Sequence, residues 1–324
     1  MGLVRTIDWQ DHHIVAIDQT SLPNEVRLLE IFTVEDLVDA IRRLAIRGAP
    51  ALGVAGALGA AMAVRDEPGR RDLDLAALRA ARPTAVNLAW GVDTAIARLP
   101  DGPDAVLAVA LELLESDAAR NRALGERGAD WLAAHSTGPM AIQTHCNAGA
   151  LACVEWGTAL GVVRSLHERG HLRHVYVDET RPLLQGARLT TWELKGMGVD
   201  HTLVVDSAGP SVLARGLADA VVVGADRITA NGDVVNKIGT YPLALAAARA
   251  GIPFVVAAPE STIDAAIATG ADVEIEVRAG HEILGGLPDT PTLNLAFDVT
   301  PADLVTAIVT EDRLVLPSAG ERPA

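Results

Sequence analysis

The chain has 324 residues, enough for about two domains, and its 49% hydrophobic and 21% charged residues are the balance of a folded enzyme and not of a disordered, collagen-like or coiled-coil chain. With 27 basic and 42 acidic residues the net charge is −15. Such a surface repels nucleic-acid backbones and anionic lipid, yet leaves room for a small anion held by local arginines and helix N-termini. The two cysteines, Cys146 and Cys153, are too few for a disulfide framework or a cysteine-built zinc site, so a reducing, cytoplasmic compartment is expected.

In chain order, Met1–Trp9 lacks the apolar core of a secretion signal. Thr33 with Asp36 resembles a capping box, and Val34, Leu37, Val38, Ile41 and Leu44 follow at helical spacing. That helix is expected to end near Arg47-Gly48-Ala49-Pro50. The uncharged run Gly48–Val64 is dominated by Ala and Gly and contains Pro50, so it reads as a buried helix and not as a membrane span. Its Gly53, Gly56 and Gly59 recur every third residue, which is not the dinucleotide-binding spacing and instead predicts close helix packing. Further helices are expected over 72–81, 84–99 and 104–134, with a loop at Leu99-Pro100-Asp101-Gly102-Pro103.

From residue 140 the rhythm changes. Short, nearly continuous apolar runs at 140–144, 174–177, 202–205, 220–223 and 253–257 alternate mostly with helical sequence. This pattern predicts a parallel sheet covered on both faces. The expected fold is therefore α/β: a mainly helical N-terminal domain (1–130) and a doubly wound C-terminal domain (131–324).

Ligands of such sheets bind beyond the carboxyl ends of the strands, so the residues after each run sample the site. They are His145-Cys146-Asn147, Asp178-Glu179-Thr180, Asp206-Ser207, Gly224-Ala225-Asp226-Arg227 and Pro259-Glu260-Ser261. Five polar ends together point to a site at this rim. Asp226 leaves a fully apolar strand, and in a closed cleft its raised pKa would suit a general acid or base; the alternatives are an ion pair with Arg227 or a helix N-cap. Cys146 is expected just before a helix beginning near Asn147, where a thiolate would be stabilised; the alternative is an inert buried thiol. Cys153 reads as core. Lys195 and Lys237 are the only lysines in an arginine-dominated basic set. Lys237 beside Asn236, on a loop above the same strand end, suits a phosphate contact, or is an exposed surface lysine. Gln185-Gly186-Ala187-Arg188, Arg47-Gly48-Ala49-Pro50, and Arg82 before Pro83 are further anion-binding candidates.

These segments together carry a resemblance. Arg47-Gly48-Ala49-Pro50, Gln143 through Ala152, Asp178-Glu179-Thr180-Arg181-Pro182, Gln185 through Thr190, Gly224 through Ile228 and Asn236 through Tyr241 resemble the motifs of methylthioribose-1-phosphate isomerases. That family shares its fold with alpha-type subunits of initiation factor 2B. The resemblance runs from about Ile17 to Thr300. It implies a Rossmann-like C-terminal domain, a homodimer, no metal or organic cofactor, and isomerisation of 5-methylthioribose 1-phosphate to 5-methylthioribulose 1-phosphate in methionine salvage. It assigns Asp226 as acid/base with Cys146 beside it, and substrate contacts to Arg47, Gly48, Ala49, Arg82, Gln185, Asn236 and Lys237. Three stretches depart from the pattern: Ala208-Gly209-Pro210, the short Gly280–Leu287 segment, and Leu295 after Asn294. They bear on the substituent at C5 of the sugar, so an isomerase of 5-deoxyribose 1-phosphate or a related pentose 1-phosphate is the alternative. A non-catalytic regulatory subunit is disfavoured by the complete Cys146 and Asp226 motifs, and a nicotinamide-dependent dehydrogenase by the missing glycine fingerprint.

Overall fold

The computed structural model describes residues 5–65, 69–83, 85–287 and 290–324. The chain forms two compact units. The first takes residues 1–122 and 149–157, the second 123–148 and 158–324. The chain thus crosses between units three times, where the sequence suggests a single change of character near 130.

In the first unit, β1 (Ile7–Gln10), β2 (His13–Ile17) and β3 (Leu28–Ile31) form an antiparallel sheet in sequence order, which the helical reading of this region does not anticipate. Asp11 and His12 turn the first hairpin with φ of 45° and 71°, the doubly left-handed geometry of a two-residue hairpin loop. The helix Val34–Arg42 starts at Thr33, whose hydroxyl accepts from Asp36 N–H. It stops well before Gly48. Leu44 is left-handed (φ 63°), and Pro50 lies in the first turn of the next helix, Ala49–Arg65, where a missing N–H costs nothing. The glycine stripe does what its spacing predicts: a Cβ on Gly56 would lie 2.4 Å from Leu88 O, and one on Gly91 only 1.9 Å from Gly53 O. The helix Val86–Ile96 therefore packs backbone-close on Ala49–Arg65. Of the expected helix over 84–99, Thr84 lies outside the described residues. The helices Arg71–Arg79 and Pro103–Ala134 fall where periodicity places them.

The second unit is built on a seven-stranded sheet. Its strands are β4 (Met140–Thr144), β5 (Leu172–Asp178), β6 (His201–Val204), β7 (Ala220–Val223), β10 (Phe254–Ala257), β13 (Ala307–Val309) and β14 (Leu314–Val315). Their order is β14-β13-β10-β7-β4-β5-β6, parallel throughout except for β14. All five expected strands are present. Helices Ala159–Glu168 and Thr191–Gly196 cover one face over a core including Ile142, Val175 and Val222; Gly209–Ala214 and Thr240–Ala250 cover the other over Val221, Val223 and Val256. The fold is the doubly wound α/β class. A second sheet, ordered β11-β8-β9-β12, joins β8 (Arg227–Thr229), β9 (Val234–Lys237), β11 (Ile263–Asp264) and β12 (Phe297–Thr300). Its β8–β9 turn contains the expected Asn231-Gly232 with Gly232 at φ 92°.

The strand order fixes where the chemistry belongs. From β4 the chain adds β5 and β6 on one side, then jumps across to β7, β10 and β13 on the other. The reversal lies between β4 and β7, the crevice in which doubly wound sheets bind ligands. Cys146 leaves β4 there and Asp226 leaves β7. Among the described residues no helix is long and apolar enough to cross a membrane.

Candidate active site

At the end of β4 the chain does not enter a helix. Cys146 is left-handed (φ 63°), Gly149 is extended, and only a short 3-10 turn, Ala150–Ala152, precedes the helix that starts at Ala159. The helix N-terminus invoked for the thiol is therefore absent at this position. What holds Cys146 is hydrogen bonding. Its N–H donates to Thr180 Oγ1 at 2.8 Å and its carbonyl accepts from Thr190 Oγ1 at 2.6 Å. Thr180 is itself left-handed (φ 64°); its N–H donates to Asp206 Oδ1 at 2.7 Å and its hydroxyl to Asp178 O at 3.0 Å. Thr190 ends a wide π-type turn, Gly186–Thr190, a distortion common at functional sites. Backbone strain of this kind persists only where the surroundings over-determine it. Cys146 is partly exposed, whereas Cys153 is fully buried.

Asp226 is half-buried. Its N–H donates to Val235 O at 2.9 Å, which sets it alongside Val235-Asn236-Lys237 of β9, an inner strand of the second sheet. Arg227, the ion-pair partner considered from sequence, reaches Asp264 at 3.1 Å. The loops after β4 and β7 touch: a Cβ on Gly224 would lie 2.8 Å from Ala148 Cβ. The structure thus brings the loops carrying Cys146 and Asp226 together at the strand-order reversal.

Asn236 is buried and donates to Thr240 Oγ1 at 2.9 Å. Lys237 Nζ donates to Ala296 O at 2.9 Å and sits 4.2 Å from the Phe297 ring centroid, so its ammonium is oriented by a carbonyl and an aromatic face. Gln185 is buried, and its Oε1 has no hydrogen-bond partner, an orphaned acceptor of the sort a ligand satisfies. The next residue must be glycine, because a Cβ on Gly186 would lie 1.8 Å from Asp178 O. In the first unit, Arg47 and Gly48 (φ 98°) precede the N-terminus of the helix opened by Ala49, and Arg82 stands just before the helix Val86–Ile96.

Sequence reading assigned no role to His145, Asp178 or Asp298, although His145 adjoins Cys146 and Asp178 ends the neighbouring strand. The His145 ring is fully buried. Nδ1 lies 2.9 Å from Asp178 Oδ2 and Nε2 2.8 Å from Ile238 O. A carbonyl only accepts, so Nε2 carries a proton. Gln143 Nε2 donates to the other Asp178 oxygen at 2.8 Å. Burial works against charge on His145, but the hydrogen bond and charge of Asp178, with Asp206 and Ile238 O, outweigh it and raise the imidazole pKa. Burial also raises the Asp178 carboxyl, against the His145 and Gln143 bonds. Both shifts retain a proton in the bridge between the two groups. Asp298 Oδ2 accepts from Gly239 N–H at 2.8 Å and Tyr241 N–H at 3.1 Å; burial pushes this carboxyl up despite those bonds.

Among the described residues, His145, Asp178 and Asp206 each bring one donor atom within 4.8 Å of the others. Protein groups occupy them all, since the second Asp206 oxygen accepts from Arg181 N–H at 2.7 Å. Hydrogen bonding alone accounts for the cluster. Within the departure at Ala208-Gly209-Pro210, the glycine has a structural reason: a Cβ on Gly209 would lie 2.8 Å from Gln143 Nε2 and 2.9 Å from Asp178 Oδ1.

A rim of this design, on a sheet whose strand order reverses between the loops of a thiol and a carboxylate, defines an enzyme-like member of the doubly wound class. The chain belongs to the initiation factor 2 subunit family, whose sequence model matches residues 45–315. It is 51% identical to a probable bifunctional methylthioribose-1-phosphate isomerase/methylthioribulose-1-phosphate dehydratase of Nocardia farcinica, over 98% of this chain but only 60% of that protein. It is 47% identical to a 5-deoxyribose 1-phosphate isomerase of Moorella thermoacetica, over 97% and 95% of the two chains. The crystal structure of 5-methylthioribose 1-phosphate isomerase from Pyrococcus horikoshii OT3 superposes with a TM-score of 0.89 at 38% identity, over 98% of this chain and 94% of that one.

Proposed function

We propose that the chain is an aldose–ketose isomerase that converts 5-methylthioribose 1-phosphate to 5-methylthioribulose 1-phosphate, as a step of methionine salvage. The observation that carries this reading is the meeting of the Cys146 and Asp226 loops at the reversal of strand order, in a chain similar along nearly its whole length to sugar-phosphate isomerases. The phosphate on the anomeric oxygen prevents spontaneous opening of the sugar. The reaction therefore needs a proton delivered to the ring oxygen, followed by net movement of hydrogen from C2 to C1. Asp226 serves as the acid/base. Cys146, on a rigidly held backbone, acts beside it by removing a proton or by stabilising developing charge. Gln185, Asn236 and Lys237 hold the sugar phosphate, with Lys237 as the point charge on a phosphate oxygen. The same reading gives Arg47, Gly48, Ala49 and Arg82 roles in substrate binding, requires no cofactor, and places a homodimer in the cytoplasm.

Turnover of 5-deoxyribose 1-phosphate is the second reading, favoured by the similarity to the Moorella protein. Phosphorus and proton NMR of the purified protein with each sugar in turn separates the two. Preferential conversion of the thio-sugar is expected. Preference for the deoxy-sugar would keep the mechanism and change the pathway, and turnover of neither would sink the isomerase reading.

A further inference from the structure

We propose that His145, hydrogen-bonded through both ring nitrogens, is a positioning residue that locks the Ile238-Gly239 turn, directly after β9, against the end of β4 and so sets the placement of the substrate-holding Asn236 and Lys237 relative to Cys146. The inference rests on the site roles proposed above and adds to them a residue to which they give no part.

Three features of the geometry carry it. First, the two bonds of the ring go to different elements. Nδ1 meets Asp178 at the end of β5, and Nε2 donates to the carbonyl of Ile238, the residue directly after Lys237. Second, the ring reaches that carbonyl only because Gly239 has no side chain. Gly239 is left-handed (φ 105°), and a Cβ there would lie 2.7 Å from His145 Cε1 and 3.0 Å from Nε2. Third, both ends of the tie are themselves fixed. Gln143 holds the far oxygen of Asp178, while Asp298 Oδ2 accepts from the N–H groups of Gly239 and Tyr241 just beyond the turn. The chain from Gln143 through Asp178 and His145 to Ile238 is therefore continuous, buried as far as His145 and anchored on the sheet. The residue after His145 is Cys146, and the residues before Ile238 are Asn236 and Lys237, so a shift of the ring moves both sets of groups apart. Geometry errors of this size, far smaller than a side chain, are costly where binding groups must converge.

The test uses the amide variants, which each copy one ring nitrogen. H145Q places an N–H near the position of Nε2 and retains donation to Ile238 O. H145N places one near Nδ1 and retains only the Asp178 bond, and H145F removes both. Expected for H145N and H145F is a rise in KM for the sugar phosphate of about tenfold or more, with kcat within about threefold of the parent, as loss of a hydrogen bond that leaves the Ile238 carbonyl unpartnered on the binding side predicts. H145Q should recover most of the loss. Hydrogen exchange of the Gly239 and Tyr241 amides, measured without substrate, should quicken in H145N and H145F and return towards the parent rate in H145Q. A purely structural role would lower thermal stability in all three without this split. The proposal is overturned if H145Q is as impaired as H145N, if kcat falls with KM unchanged, or if exchange at these amides is the same in every variant. Should H145F fail to fold, the Gln and Asn pair decides alone. Because exchange needs no turnover, an inactive parent protein would sink the isomerase reading while the exchange pattern still judges the role of His145.

Discussion

At the scale of single residues, the thiol and the carboxylate are carried on backbones fixed by their own hydrogen bonds. Cys146 is held by its backbone, through Thr180 and Thr190, and these bonds do not run through its sulfur. Asp226 likewise contributes a backbone bond to Val235 that survives side-chain substitution. Cys146→Ala and Asp226→Asn are each expected to lower kcat by a factor of about 10² to 10⁴, the usual contribution of a positioned acid, base or nucleophile, with thermal unfolding close to the parent. Near-parental turnover in either variant would remove that residue from the mechanism. Lys237 differs, because its ammonium is already oriented by Ala296 O and the Phe297 ring. Lys237→Met keeps the stem and loses the charge, so KM should rise by about ten- to a hundredfold, while the apolar packing against Phe297 is retained. Cys146, Asp226 and Lys237 could be put forward as candidates because they follow apolar strands or stand out in composition. The pairing of His145 with Asp178 was not legible, since it depends on the β4–β5 register that sets Thr144 beside Val177, which local sequence does not encode.

At the scale of elements, burial explains part of what was legible. The strands β4, β7 and β10 are buried at every position and so read as unbroken apolar runs. The strands β8, β9, β11 and β12 are two to four residues long, too short for any periodicity to show. The N-terminal hairpin was hidden by its turn, since Asp11-His12 adopts a conformation that Asn-Gly or Asp-Gly usually announces. The expected helix after Cys146 failed because its small apolar residues suit a helix or tight packing equally, and here Gly149 and Gly157 pair backbone to backbone; a Cβ on Gly157 would lie 2.4 Å from Gly149 C. The glycine stripe gives a sharp test. Gly91→Ala forces a methyl to within 1.9 Å of a backbone oxygen, which cannot rotate away, and should cost about 1–3 kcal/mol of stability by chemical denaturation. Gly196→Ala, at a helical position with nothing within 4 Å, is the control. It should be neutral or stabilising by up to about 1 kcal/mol. Equal effects at the two positions would show that the helices can part without cost.

At the scale of the whole chain, the return of residues 149–157 to the first unit is what a linear reading could not supply, and a single buried carboxylate helps secure it. Asp117, on the long helix Pro103–Ala134, accepts from Val154 N–H at 2.7 Å and from Asn121 Nδ2 at 2.8 Å. Thr6 N–H donates to Val154 O at 3.0 Å, and Gln19 to Leu151 O at 2.7 Å. Burial pushes the Asp117 carboxyl up to about 6, against the backbone bonds from Val154 and Glu155, the Asn121 bond and the Arg120 charge. In the unfolded chain it titrates near the ordinary value of about 4. Between these values the folded protein holds a proton that the unfolded chain has lost, so this group makes stability fall as pH rises. The slope approaches about 1.4 kcal/mol per pH unit and accumulates to about 3 kcal/mol by neutral pH. The loss starts above about pH 4 and is complete once pH has passed the folded value. Denaturant unfolding of the parent and of Asp117→Asn across pH 4 to 7 isolates this contribution, because every other titrating group is common to both. The parent should show the steeper decline between pH 4 and 6, and the two curves should run parallel above pH 7. Parallel curves over the whole range would mean that Asp117 is ionised in the folded protein from the start, and that the bonds from Val154 and Asn121 outweigh its burial.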